Sequence, residues 1–504
     1  MVPEGHPECD DPSETGLASK FMRGIISYGA YLPYRRLDRT TIAAVAGTGG
    51  GKGTRTVASY DEDTTTLGVE AARRALRITQ TRPGALWFST VIPAYADKTN
   101  ATAIHAALRL PADVIAADFG GAIRSGVAAL RAALAGGPVA LVVTADIRTG
   151  LPGSADEAAG GDAGAALLIG DEADGPVIAE LIGSGTATDE FLDRWRTPGD
   201  VRSKQWEEKF GEMQYLPLGA DAFAAALADA GIEADRVDHL IVSGAHGRAN
   251  KGLVRKLGVP TDRLVDDLTA TVGSPGSAQA ALLLSATLER AAPGQVIALV
   301  SLADGADVLL FKTTEALTGV ESEAPVADQV AAGAPLPYGK FLAWRGLLTP
   351  EPPRRPEPAR PSASAASRNE DWKFAFVGTR DRLSGAIHLP PARVSMNGGA
   401  IDDMEPTPMA DVAGRVLTYT IDKLVYSPSP PVVFAIVDFD GGGRAPIELT
   451  DVDPADVAIG TPVEMTFRRF FTADGIHNYF WKARPIRSGA APTTPSTDDS
   501  NKGA

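Results

Sequence analysis

A chain of 504 residues is too long for one ordinary core and points to two or three domains. Hydrophobic residues make up 44 % and charged residues 22 %, a globular balance, and the net charge of -15 repels phosphate backbones and anionic membranes. The single cysteine, Cys9, excludes an internal disulfide and a cysteine-rich zinc site.

Residues 1–20 are acidic and Pro-containing without an apolar core segment, so they read as a disordered N-terminus and not as a signal peptide. No run of roughly 18 apolar residues predicts a membrane span, and the expected location is the cytoplasm. From Phe21 strands and helices alternate. Gly24–Tyr31 predicts a strand, and Leu37–Val45 looks helical. Thr64–Leu76 has apolar residues at helical spacing behind an acidic capping cluster of Asp61, Glu62 and Asp63. Ala85–Ile92, Pro138–Ala145 and Ala163–Ile169 predict buried strands, and Ser125–Leu134 predicts an Ala-rich helix. An irregular stretch leads to a helix over Asp221–Ala230 and a strand over His239–Ser243. A long apolar helix, Ala278–Ala291, and strands Gln295–Leu302 and Asp307–Lys312 close a domain over 21–315. Such alternation means an α/β layered fold. The segments Gly120–Ala145 and Gly273–Leu302 repeat one order of small-residue turn, Ala-rich helix and buried strand, a sign of internal duplication.

Residues 316–370 connect, with an extended Pro-rich linker over Thr349–Arg368. Beyond it, Val416–Lys423, Val432–Asp438, Arg444–Thr450, Val463–Phe470 and Asn478–Lys482 are five short strands with Gly-rich turns, which suits a small all-β barrel over 411–488. The tail, 489–504, is polar and reads as disordered.

The glycine run Gly47–Gly53 around Lys52 is no phosphate loop. Gly53 stands where Ser or Thr is needed, and Ala46 stands where the first Gly belongs. More specific is the series "GIISYGAYLPYRRL", "GKGTRTVASYDEDTTTLGVEAARRAL", "GGDAGAALLIG" (Gly160–Gly170) and "EFLDRWRTPGD" (Glu190–Asp200). In order from about Arg23 to Lys312, these resemble the hydroxymethylglutaryl-CoA synthase-like proteins of the thiolase superfamily. The resemblance implies a layered α-β-α-β-α domain. It also implies acyl-CoA condensation, in which a Cys thiolate takes the acyl group, a His polarises the incoming thioester and a Glu handles the carbon-bound proton.

This chain departs at those positions. In "AADFGGAIRSGVAAL" Ile123 occupies the Cys position, in "LIVSGAHGRANKG" Ser243 occupies the His position, and in "WFSTVIPAYAD" Val91 occupies the Glu position. Ser274 stands where relatives have Asn. Ile and Val form no acyl adduct and move no protons, so Cys-dependent condensation is not expected. Candidate replacements are His246 as a displaced base, with Tyr95 and Asp97 as acid/base groups for an aldol or retro-aldol step that needs no Cys. Arg124, Ser125 and Arg248 are candidates to hold CoA or acyl-CoA. The bland alternative is that all are ordinary loop and cap residues.

"YSPSPPVVFAIVDFDGGGRAPIELTDVD" and "GTPVEMTFRRFFTADGIHNYFWKARP" resemble the OB-fold domains found with thiolases and with acyl-CoA hydratase or aldolase partners. Such domains carry a zinc ribbon in front. Here, over 371–410, Asp381, Ser384, Ser395 and Gly398 occupy its Cys positions, so the ribbon is a degenerate rubredoxin-like remnant and zinc is not expected. Arg468, Arg469, Tyr479, Phe480 and Trp481 could line a single-strand groove, but the acidic chain favours packing or CoA contact over nucleic acid. Two functions stay open. One is an acyl-CoA-binding enzyme that makes or cleaves a C–C bond without a Cys nucleophile. The other is a catalytically inactive scaffold or accessory subunit that channels acyl-CoA for a thiolase, hydratase or aldolase partner. The resemblance implies a homodimer in either case.

Overall fold

Period-2 alternation along the strands sorts the core into layers. The computed structural model describes residues 23–399 and 401–487, so Cys9 and both terminal segments lie outside the described residues. Nine strands form one sheet: β1 (Arg23–Tyr31), β2 (Ala85–Thr90), β3 (Ile115–Gly120), β4 (Ala140–Ile147), β5 (Asp162–Asp171), β6 (Ala179–Ala187), β7 (His239–Gly244), β8 (Val296–Leu302) and β9 (Ala306–Thr313). Their order is β7-β8-β9-β6-β1-β5-β4-β2-β3. Apart from edge strand β3, the order is symmetric about the β1–β6 junction. Parallel β2–β4 matches parallel β7–β8, and antiparallel β4–β5 matches antiparallel β8–β9. The junction itself is only two residue pairs, Gly24 with Glu180 and Ile25 with Ala179. The duplication read in the sequence is therefore present in the topology.

On β4, Leu141, Val143 and Ala145 join one core and Ala140 and Val142 another. On β8, Ile297 and Leu299 share the second core, whereas Val296, Ala298 and Val300 face a third. The shared core holds two helices, α2 (Ser125–Leu134) and α5 (Gln279–Leu288), between the two halves of the sheet. The outer cores hold α1 (Thr64–Arg77) on one side and α3 (Glu208–Ala230) with α4 (Gly247–Val254) on the other. Five layers follow: helix, sheet, helix, sheet, helix. All ten residues of α5 are buried, which is why that segment is apolar all round.

Several expectations are corrected. Leu37–Val45 divides into a strand, Arg35–Asp38, and a helix, Thr40–Ala46. The helix expected over Asp221–Ala230 begins at Glu208 and contains Pro217. The linker is not wholly extended, since Ala363–Arg368 is helical, with Ser362 accepting from Ala365 N at its start.

The second domain is a closed barrel of β10 (Gly414–Asp422), β11 (Val432–Phe439), β12 (Arg444–Leu449), β13 (Pro462–Ala473) and β14 (Ile476–Pro485), in the order β10-β11-β12-β14-β13. Met465 and Phe467 on β13, and Tyr479, Trp481 and Ala483 on β14, fill the core. Alternation then places Thr466, Arg468, Lys482 and Arg484 on the outer face of the barrel. All four are nonetheless buried, because that face is pressed against β1 and α1.

The charges meet there in pairs. Lys482 Nζ lies 3.0 Å from Asp61 Oδ2 and also pairs with Glu448. Arg468 Nη2 lies 3.1 Å from Glu62 Oε1 and 2.8 Å from Asp451 Oδ2. Arg484 Nη2 is 3.1 Å from Glu70 Oε2. Tyr31 Oη donates to Glu62 Oε1 at 2.6 Å, and Tyr479 Oη donates to Asp63 Oδ2 at 2.7 Å. Only Asp63 caps α1, accepting from Thr66 N at 2.9 Å. Asp61 and Glu62 are therefore domain-docking residues, not caps. Burial works to lower the Lys482 ammonium pKa, but Asp61, Tyr60 and Glu448 outweigh it and hold it above its ordinary value. The Arg468 and Trp481 groups offered to a nucleic-acid groove are enclosed in this contact and in the barrel core.

Asp61→Ala leaves Lys482 and Arg468 buried with fewer counter-charges. We expect it to lower stability by about 3–5 kcal/mol, read as a shift in the urea unfolding midpoint. An unchanged midpoint would show that the cluster does not hold the domains together.

Candidate functional site

The family positions lie where strand ends of the two halves face each other. Val91 follows β2 and is buried. Ile123 sits in the turn before α2, Ser243 near the end of β7, and Ser274 in the loop before α5. Ile123 and Ser274 line one cavity with Arg148, Asp156, Arg194 and Ala245. Its volume is only ≈ 30 Å³, space for a water or two. Arg194 closes one side through a two-point pair with Asp156, Nη1–Oδ1 2.9 Å and Nη2–Oδ2 2.5 Å. Ser243 Oγ donates to the Val300 carbonyl at 3.2 Å, and Ser274 Oγ donates to Gln279 Oε1 at 3.1 Å.

The carboxylate that organises this region is Asp146, which the sequence reading missed. It is fully buried at the end of β4. Its Oδ1 accepts from Thr90 Oγ1 at 2.9 Å and Val91 N at 2.8 Å, and its Oδ2 accepts from Ser277 N at 2.6 Å. Burial pushes its pKa up, against Arg148 and these donors. Gly276 meets it closely, with φ 55° and an added Cβ only 2.4 Å from Asp146 Oδ2, so only glycine fits. Asp146 thereby ties the Val91 turn in one half to the Ser277 turn in the other. The signal for it was a lone acid inside the apolar run "ALVVTADI".

The proposed replacement groups are not brought together. His246 is the N-cap of α4. Its Nδ1 accepts from Ala249 N at 3.0 Å and its Nε2 meets the Glu208 carbonyl at 2.9 Å. Both ring nitrogens are engaged with backbone, which fixes a neutral tautomer with the proton on Nε2. Tyr95 faces the barrel instead. Its ring lies 4.9 Å from that of His477, and its hydroxyl accepts from His477 N at 2.8 Å. Asp97 is exposed. These three form no common acid/base centre.

The CoA candidates differ likewise. Arg124 Nε donates to Asp307 Oδ2 at 2.8 Å and Nη1 to the Asp304 carbonyl at 2.7 Å, while Nη2 reaches Thr186 and Thr188. It ties α2 to β9, with four of its five N–H donors engaged. Ser125 Oγ donates to the Gly120 carbonyl at 3.0 Å. Arg248 pairs with Glu212 at 2.5 Å and is half exposed.

In the ribbon, Asp381 and Ser384 stand together as the zinc-ribbon resemblance implies. The Asp381 carboxylate accepts from Ser384 Oγ and, at 2.9 Å, from Leu383 N. Hydrogen bonds from Ser384, Ser395 and Leu383 hold its pKa down at about 2. Among the described residues no group of three or more His, Cys, Asp or Glu is placed to hold a metal ion. The Asp381 carboxylate is thus the hub of its own turn, Asp381 to Ser384. Its pKa is depressed in the folded state, so its contribution is present above the ordinary value of 3.8 and lost as pH falls through about 2. Hydrogen exchange in the ribbon amides should rise across that acid window, and Asp381→Asn should remove the dependence. An equal acid response in the variant would refute the hub.

Comparison with known proteins adds the following. A family model described as 3-oxoacyl-[acyl-carrier-protein] synthase III C terminal matches residues 227–309, and one described as ChsH2, C-terminal OB-fold domain, matches residues 407–468. The hydroxymethylglutaryl-CoA synthase of Methanosphaera stadtmanae is 30 % identical over 346 residues, 65 % of this chain and 99 % of the relative. That of Methanopyrus kandleri is 29 % identical over 344 residues, 64 % of this chain and 97 % of the relative. Among solved structures, an HMG-CoA synthase complexed with CoA superposes with a TM-score of 0.55 at 18 % identity, covering 64 % of this chain and 89 % of that one. MvaS in complex with 3-hydroxy-3-methylglutaryl coenzyme A gives 0.56 at 20 % identity, covering 68 % and 95 %. At those identities the superpositions speak for the fold.

Proposed function

Because this chain belongs to the hydroxymethylglutaryl-CoA synthase family, we propose that it is a non-condensing member, an accessory subunit or scaffold for an acyl-CoA condensing partner of the thiolase type. The observation that carries this reading is the cavity at the family's reaction centre. It is ≈ 30 Å³ and is lined by Ile123, Ser274 and the Arg194–Asp156 pair, among others. A thioester carbonyl has no nucleophile there and no space to enter. The reading in which His246, Tyr95 and Asp97 cleave a C–C bond finds no support, since a general acid and base must both reach one substrate.

The relatives superposed above are complexed with CoA and with an HMG thioester. For this chain, acyl-CoA is proposed as the cargo of the partner. After incubation with acetyl-CoA and acetoacetyl-CoA, intact-mass spectrometry should find no acyl adduct, and thiol release should stay at the buffer rate. A stable adduct, or turnover lost on Asp146→Asn, would overturn the proposal.

We further propose a homodimer through β3. Among the described residues this strand pairs only with β2 and forms one edge of the sheet. Both its faces are partly open, with Ile115 57 % exposed. An open edge of this kind readily pairs with a second copy. Sedimentation velocity at micromolar concentration should give a dimer, and Ile115→Glu, which disturbs no buried contact, should shift it to monomer. A wild-type monomer would reject this interface.

A further inference from the structure

Tyr95 is not absorbed by the family site, and its hydroxyl has an unused proton. The oxygen accepts from His477 N at 2.8 Å, and that is the hydroxyl's one recorded bond among the described residues. The group lines a second cavity of ≈ 290 Å³ where the loop after β2, the linker helices and the β13–β14 hairpin meet. Ala103, Ala106, Ala366, Phe374 and the Tyr479 ring make most of its wall apolar. It is about tenfold larger than the cavity at Ile123 and approaches the size range of small-molecule sites.

Polar side chains of Thr65, Asn100, Thr102 and Ser367 also line it. Lys98 Nζ donates to the Thr99 carbonyl at 2.9 Å and to Thr102 Oγ1 at 2.8 Å. An ammonium has three donors, so one remains. Glu370, also in the wall, presents an acceptor. His477 and Tyr479 are engaged elsewhere, with Thr472 and Asp63. Tyr95, Lys98 and Glu370 thus give the cavity two free donors and one anionic acceptor beside an apolar slot.

We propose that this junction cavity binds a small amphipathic molecule with an amide head. Its carbonyl oxygen accepts from Tyr95 and Lys98, its N–H donates to Glu370, and its short alkyl chain lies against Ala103, Ala106 and Phe374. A carboxylate head is disfavoured because it faces the charge of Glu370, and an amine head because it gives Tyr95 no acceptor. Since the wall comes from both domains and the linker, occupancy also stabilises their docked arrangement.

Full-length protein is titrated by calorimetry and ligand-observed NMR with hexanamide, hexanoate and hexylamine. Hexanamide should bind saturably and more tightly than the other two. Tyr95→Phe should weaken it by roughly fivefold, and Ala103→Phe, which fills the slot, should abolish it with the circular dichroism spectrum retained. Glu370→Gln should raise the affinity for hexanoate relative to hexanamide, an effect that a merely structural Glu370 would not produce. Equal binding of all three probes would overturn the head-group assignment. Absence of saturable binding, or binding unchanged in Ala103→Phe, would overturn the site.

Discussion

Asp61, Glu62 and Glu70 are closed off from water against Arg468, Lys482 and Arg484, and the rest of the molecule is arranged around that fact. An unpaired buried charge is costly, so neither surface is tolerable without the other. The barrel must dock on α1 in one register, and the pairing of Glu70 with Phe467 N at 3.1 Å and of the Asp61 carbonyl with Arg469 N at 2.8 Å fixes that register along β13. The face that an OB fold leaves open for ligands in other settings is here consumed by its own first domain. This docking also carries the β13–β14 hairpin across to the loop after β2, where His477 meets Tyr95 and the junction cavity forms.

The layered fold and the family's catalytic positions depend on different residues. Layering depends on alternation along β4, β5, β8 and β9 and on small residues in α2 and α5. None of this involves Ile123, Ser243 or Val91. Around the family positions, polar side chains provide cohesion. Asp146 joins the turns of the two halves, and Arg124 ties α2 to β9 through Asp307. A buried carboxylate that accepts three hydrogen bonds from both halves is well suited to hold geometry. The segment before the barrel repeats the pattern, with the Asp381 carboxylate held by Ser384 Oγ and Leu383 N.

By itself, the sequence determined the layered domain, its duplication and the barrel. These are written in local period: apolar residues at every second position in strands, Ala-rich runs in the central helices, and Gly-rich turns between barrel strands. It also determined that Ile123, Ser243 and Val91 stand at the family's three catalytic positions, since side-chain identity needs no coordinates. What only the tertiary structure decided is where loop and polar side chains point. His246 could be read as a base or a cap until Glu208 and Ala249 were seen to take both nitrogens. Asp61 and Glu62 looked like helix caps because the cations that claim them lie more than 380 positions away in the chain. Tyr95 and His246 are both loop residues at the ends of strands, yet one turns to the barrel and the other to α3. A strand's direction follows from its own pattern, but a loop side chain's direction is set by whatever packs beside it, and that neighbour is rarely close in sequence.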